Sequence, residues 1–188
     1  NLTHIMIGSA CILAISLGIR HGFGLYLVPI SESLNWGHGV FSLAVAIQNL
    51  IWGMAQPFTG ALADKYGTKK IVLIGGILYA MGLLMMAFSS SIVLFNLSAG
   101  IILGLALSAT SFAVLLSAVG RAAPPEKRSL AMGIASAAGS FGQFVMLPAT
   151  LFLIQDFGWM AALIISAILC ALIAPLALLL KTSPHSAQ

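Results

Sequence analysis

Six apolar runs, each near the ~20 residues a helix needs to cross a bilayer, divide this chain, and almost all of its charge lies in the short stretches between them. The runs fall at about residues 5–30, 39–60, 71–89, 92–120, 130–154 and 160–180. A backbone surrounded by lipid must satisfy its own hydrogen bonds, so runs of this length are read as helices. Strands of a membrane barrel would be about half as long and would alternate polar with apolar residues. The expectation is an all-α integral membrane protein with one transmembrane bundle over residues 1–180, followed by a polar stretch, 181–188, that begins a cytoplasmic linker.

Charged residues make up 6% of the chain, against 60% hydrophobic ones, and the mean hydropathy is +1.09. So few charges cannot cover a water-facing surface. The net charge of +4 does not indicate a nucleic-acid partner, because the basic residues form no stripe with interleaved aromatics. Cys11 and Cys170 sit in separate apolar runs and are expected as buried, unpaired thiols. The first residues carry no basic stretch with a small-residue cleavage site, so no signal peptide is expected, and the absence of Met at Asn1 suggests a piece of a longer protein.

Seven of the eight basic residues fall on one side of the alternating spans: Lys65, Lys69 and Lys70, then Arg121, Lys127 and Arg128, then Lys181. The connections on the other side, 31–38, 89–91 and 156–158, contain no Lys or Arg. The basic side is therefore expected to be cytoplasmic, with both termini of this segment there, in the cell (inner or plasma) membrane. A weak repeat accompanies this alternation: Pro57…Asp64-x-x-Gly67 in span 2 and Pro148…Asp156-x-Gly158 in span 5, at opposite ends. Two inverted three-helix units would produce it.

The stretch Gly60-Ala61-Leu62-Ala63-Asp64-Lys65-Tyr66-Gly67-Thr68-Lys69-Lys70 resembles the helix 2–helix 3 loop of the major facilitator superfamily, G-x-L-x-D-[RK]-x-G-x-[RK]-[RK]. Thr68 stands where a basic residue is frequent. Gly120-Arg121 at the end of span 4, and the basic loop after Pro124-Pro125, are similar to that family too. The resemblance covers the whole chain and implies the N-terminal six-helix half of a twelve-helix transporter. Its partners would be membrane lipid, a small anionic substrate, a proton where the transport is symport, and the C-terminal half or a second copy. The residues Arg20 to Ile30, Asn35-Trp36 and Gln48 to Gly53 with Gln56-Pro57 resemble the monocarboxylate and oxalate/formate transporter branch. Drug/proton antiporters usually carry G-x-x-x-G-P-x-x-G-G on helix 5; the region here, Gly139-Ser140-Phe141-Gly142, departs from it.

Within the family pattern, Gly60, Asp64, Lys65, Gly67, Lys69, Lys70 and Arg121 form a conformational latch that holds the outward-open state. Physically, Gly60 would allow close helix approach, Gly67 a tight turn, and Asp64 would accept hydrogen bonds from Arg121. Lys69 and Lys70 also serve as topology signals.

Arg20 lies about 15 residues into span 1, ~22 Å along the helix. An arginine at mid-membrane costs about 2.5–3.5 kcal/mol on insertion scales and is tolerated chiefly beside a wet cavity or a partner. The four acidic residues all fall at span ends or in loops, so a substrate carboxylate could be its counter-charge; snorkelling, or an acid elsewhere in the protein, would equally explain it. His21 could carry a coupling proton, against a plain structural hydrogen bond. Gln48, Trp52 and Gln56 share one face of span 2, with Asn49 beside it, as interhelical glue or substrate contacts. Tyr26, Ser108 and Gln143 complete the candidate substrate-binding set, with Arg20, His21, Gln48, Asn49 and Trp52. Asn96, Gly100, Gly104, Ser108 and Ser111 in span 4, and Gly133, Ser136, Ser140 and Gln143 in span 5, are expected as small-residue packing faces. Trp36 belongs to an interfacial belt, as do His4 and His38, and His185 to the tail.

No histidines or acids have metal-ligand spacing, no cofactor motif occurs, and neither a Gly-x-Ser-Gly nucleophile turn nor a phosphate loop is present. An enzyme is therefore not expected. The expectation is a secondary transporter of a small mono- or dicarboxylate, working by alternating access with proton symport or anion exchange. A drug exporter and a non-transporting receptor or scaffold are the alternatives.

Overall fold

The computed structural model describes residues 2–180. It contains six helical spans, all long and apolar enough to cross a membrane: α1 (Leu2–Ser33), α2 (His38–Tyr66), α3 (Thr68–Ala87), α4 (Ile92–Ala122), α5 (Pro125–Phe157) and α6 (Trp159–Ala177). No strand occurs among the described residues. Lys181, His185 and the linker at 181–188 lie outside them.

Helices extend past the apolar runs that announced them. Span 2 was expected to stop at residue 60, with a loop to 70; instead α2 continues to Tyr66 and α3 starts at Thr68. Asp, Lys and Tyr cost a helix end little, so charge does not terminate α2. Gly67 does, at φ +97°, where its N–H still bonds the carbonyl of Ala63 at 2.9 Å. Gly158, at φ +91°, makes the same one-residue turn between α5 and α6. Pro57 precedes Gly67, and Pro148 precedes Gly158, by the same number of residues.

That correspondence extends to packing. The heaviest contacts join α1 to α5, α2 to α4, and α3 to α6. Exchanging α1 with α4, α2 with α5 and α3 with α6 maps this set onto itself. The six spans are thus two interlocked three-helix units of inverted topology.

The close approaches occur at small residues. A Cβ on Gly104 would lie 2.8 Å from Cβ of Ile51, and one on Gly142 would overlap Ala14. The packing face of α5 therefore runs through Gly139 and Gly142; Gly133, expected on that face, has open space around it. Gly60 does as well, so within these described residues it permits no close helix contact. Cys170 is buried as expected, but Cys11 is exposed on the outer side of α1.

Two spans are irregular. Leu97–Ile102 of α4 is a π-helical segment, and the helix breaks at Thr110-Ser111 before resuming at Phe112–Ala122. Residues Gly22–Tyr26 of α1 form a 3₁₀ turn directly after Arg20-His21. A buried polar column ties these places together. The Tyr79 hydroxyl donates to the Ser16 carbonyl at 2.7 Å, and the Ser16 and Thr110 hydroxyls are 2.7 Å apart. Because Thr110 donates its one proton to the Ala106 carbonyl at 3.0 Å, Ser16 is the donor to Thr110. The column fixes α1 one turn before Arg20 against α3 and the break in α4. Opposite it, α2 and α5 are the least buried spans and present Leu50, Met54, Phe58, Phe141 and Phe144 outward.

Candidate functional site

The site is assembled where α1 and α2 converge. Arg20, at the end of the regular part of α1, sends Nη2 to Oδ1 of Asn49 on α2, 2.8 Å away. Its guanidinium lies over the Phe23 ring, 5.9 Å from the centroid, a favourable cation–π geometry. Asn49 is its sole hydrogen-bond partner among the described residues, and no carboxylate lies within ion-pair distance there. Nε is buried and reaches no acceptor. A guanidinium carries five N–H donors, so most of this one's capacity is unused.

Arg20 forms the wall shared by two open recesses. One, of about 300 Å³, is bounded by Phe23, Gly24, Leu27, Phe41, Ser42 and Val45. The other, of about 230 Å³, is bounded by Leu17, His21 and Trp52. Arg20, His21, Asn49 and Trp52 therefore gather at one place. The indole N–H of Trp52 is buried there without an acceptor.

The remaining candidates lie elsewhere, for identifiable reasons. Gln48 is 1% exposed, and its amide donates to the Ala99 carbonyl at 2.9 Å, so it joins α2 to the π segment of α4. Ser108 is fully buried and bonds back to Leu105 at 2.7 Å, satisfying itself within its own helix. Tyr26 points into the bundle core, edge-on to Phe23 with ring centroids 6.1 Å apart. Neither Tyr26 nor Ser108 opens on the recesses. Gln143 is half-buried on α5, outside both. Gly24, Phe41, Ser42 and Val45 were missed; glycine and apolar side chains give no polarity signal, and a lone serine such as Ser42 is indistinguishable from the many packing serines of the other spans. A hint was Gly24 itself, one helical turn after Arg20.

A second polar cluster closes the basic end. Arg121 at the end of α4 donates from Nη1 to Asp64 Oδ1 at 2.7 Å and to the Ser117 hydroxyl at 2.8 Å, and from Nη2 to the Thr68 hydroxyl at 2.8 Å. Thr68 is fully buried. The position that departs from the common motif is thus an added acceptor that ties α3 to the pair. Asp64 is 61% exposed, and a recess of about 150 Å³ lies beside it, bordered by Gly60, Ala113 and Ser117. Lys65 lies 5.2 Å from the centroid of the Tyr66 ring. Lys69 and Lys70 make no ion pair among the described residues. Arg128 bonds the Gly120 carbonyl at 2.9 Å and caps α4 from across the loop.

The sequence profile of the Major Facilitator Superfamily matches residues 7–188. Among curated proteins, Monocarboxylate transporter 13 of Rattus norvegicus is 30% identical over 174 residues, covering 88% of this chain and 39% of its own length. Monocarboxylate transporter 11 of Mus musculus is 29% identical over 174 residues, with 89% and 37% covered. Monocarboxylate transporter 2 of Homo sapiens is 28% identical over 165 residues, with 86% and 34% covered. The chain spans somewhat over a third of the length of these curated relatives.

Proposed function

The chain belongs to the Major Facilitator Superfamily, and from that premise we propose that it is the N-terminal six-helix half of a secondary transporter that moves a small organic anion, a mono- or dicarboxylate. Alternating access rocks this half against a second one about a midplane site, with proton symport or anion exchange as the coupling. The basic end faces the cytoplasm, and the exposed apolar faces of α2 and α5 meet lipid and the second half. The observation that carries the substrate class is the Arg20 guanidinium. It is held in the middle of a span by one neutral amide, with unused donors beside two open recesses. A cation so placed is stable where an anion arrives to pair with it. His21, beside it on the second recess, is the group suited to carry the coupled proton. The names of the relatives, all monocarboxylate transporters, support the same class.

The test is counterflow of a labelled small carboxylate in proteoliposomes containing the full-length transporter, with Arg20→Gln as the comparison. Flux in the wild type that falls at least tenfold in a folded Arg20→Gln variant supports the reading. Equal flux in both moves the anion site to the other half. No carboxylate flux in the wild type rejects the substrate class.

A further inference from the structure

We propose that the larger recess beside Arg20 receives an apolar tail of the carboxylate, and that Gly24 sets how long that tail can be. The inference rests on the anion reading of Arg20 and narrows it to monocarboxylates with an aliphatic or aryl tail.

The geometry of the guanidinium gives the direction. Phe23 covers one face, Asn49 takes one in-plane donor, and Nε is buried. The donors left at the outer edge, on Nη1 and Nη2, suit an end-on carboxylate. Carbon atoms beyond that carboxylate then run into the 300 Å³ recess, whose accessible walls are Gly24, Leu27, Ser42 and Val45, backed by the buried rings of Phe23 and Phe41. The Ser42 hydroxyl is the one uncharged polar side chain in that wall. A second carboxylate there would find no second cation and would lie against mostly apolar walls. The recess thus selects against dicarboxylates and polar tails. At about 300 Å³ it is at the lower end of ligand-pocket size, enough for several methylenes or one ring.

Gly24 is the open point in this wall. It is exposed, it lines the recess, and a Cβ built on it meets no atom within 4 Å. Its φ is not in the left-handed region, so a side chain is accommodated without backbone strain and projects into the space the tail would occupy. Glycine in the 3₁₀ turn Gly22–Tyr26 is not demanded by the backbone at this position. Recess volume is what its missing side chain provides. By contrast, a Cβ on the neighbouring Gly22 would press on Thr150 at 3.1 Å, so that glycine serves helix packing.

The experiment measures half-saturating concentrations for acetate, propionate, butyrate, hexanoate, phenylacetate and succinate in the full-length transporter in proteoliposomes, for the wild type, Gly24→Ala and Gly24→Leu. In the wild type, each added methylene tightens binding by about fourfold until the recess is full, and succinate competes poorly. In Gly24→Leu the preference for hexanoate over propionate shrinks by about tenfold or more, with Gly24→Ala intermediate. The readout is a ratio within each variant, which a loss of folded protein does not move, and Gly24→Ala serves should the leucine variant fail to insert. A wild-type preference that ignores tail length, or one that persists within about twofold in both variants, overturns the inference and leaves the anion reading standing. Absence of flux for every acid in the wild type overturns both.

Discussion

The turn at Gly67 and the turn at Gly158 have the same backbone and opposite chemistry. Each is a single glycine at φ near +90° between two long helices, following a proline at the same interval. Around Gly67, Asp64, Arg121, Thr68 and Ser117 form a network of short hydrogen bonds. Around Gly158, Asp156 makes no ion pair among the described residues, and the contact is an aromatic edge between Phe152 and Phe157 with centroids 6.2 Å apart. The repeat therefore preserves the shape of the turn, while one end alone has acquired a polar clasp. That difference is what a protein needs if its two ends are to open under different conditions.

Substitutions at the two turns can break the comparison. Neither glycine has a neighbour within 4 Å of an added Cβ, so Gly67→Ala and Gly158→Ala isolate backbone strain. Each should cost about 1–3 kcal/mol, seen as similar drops in the unfolding temperature of the purified protein. A large gap between the two would end the equivalence of the turns. Next in size is Arg121→Ala, which leaves buried Thr68 without its donor and should cost about 1 kcal/mol. The matched change on the other side, Asp156→Asn, should fall within about 0.5 kcal/mol of the wild type.

Asp64→Asn sharpens the comparison further. The pair is exposed, so its worth to stability is under ~1 kcal/mol and declines as salt rises from about 0.15 M to 1 M. If the network is a latch, flux in Asp64→Asn falls by much more than stability does; parallel losses would reduce the network to a helix cap. The smallest effect is Lys70→Gln. It removes an exposed, unpaired charge and should leave unfolding unchanged within about 0.5 kcal/mol.

Much of the architecture was legible because the lipid environment leaves few options. Length and hydrophobicity of the runs are enough for six helices, and alternation of charge pairs the ends. Asp64 and Arg121 were legible as partners because charged residues are scarce and both close their helices at the same end. Helix limits were less legible: α2 runs through Asp64-Lys65-Tyr66, since a polar residue marks the membrane surface rather than the end of hydrogen bonding. Polarity also failed to separate recess from core. Ser108, Gln48 and Tyr26 look like Asn49 in a sequence, yet the first two bond backbone carbonyls inside the bundle and Tyr26 is buried whole. A hydroxyl or amide in a membrane must be satisfied, and the sequence does not say by what. The π segment at Leu97–Ile102 carried no signal, being composed of the same small and aliphatic residues as its flanks.

The interlocking of the two units has a consequence for synthesis. The most extensive contact of α1 is with α5, whose last residue is made more than a hundred positions after α1 is complete. At about 5–20 residues per second, the ribosome needs roughly 6–25 s to produce that partner. During this interval the groove at Gly18, where a Cβ would collide with Met146 of α5, stands unfilled, and Arg20 waits for Asn49, which emerges first. The first three helices cannot mature as a unit, because their main neighbours belong to the next three. Insertion and folding of this bundle are therefore separate events, and a chain stalled before α5 would hold a complete α1 that can reach α2, α3 and α4 but lacks its most extensive partner.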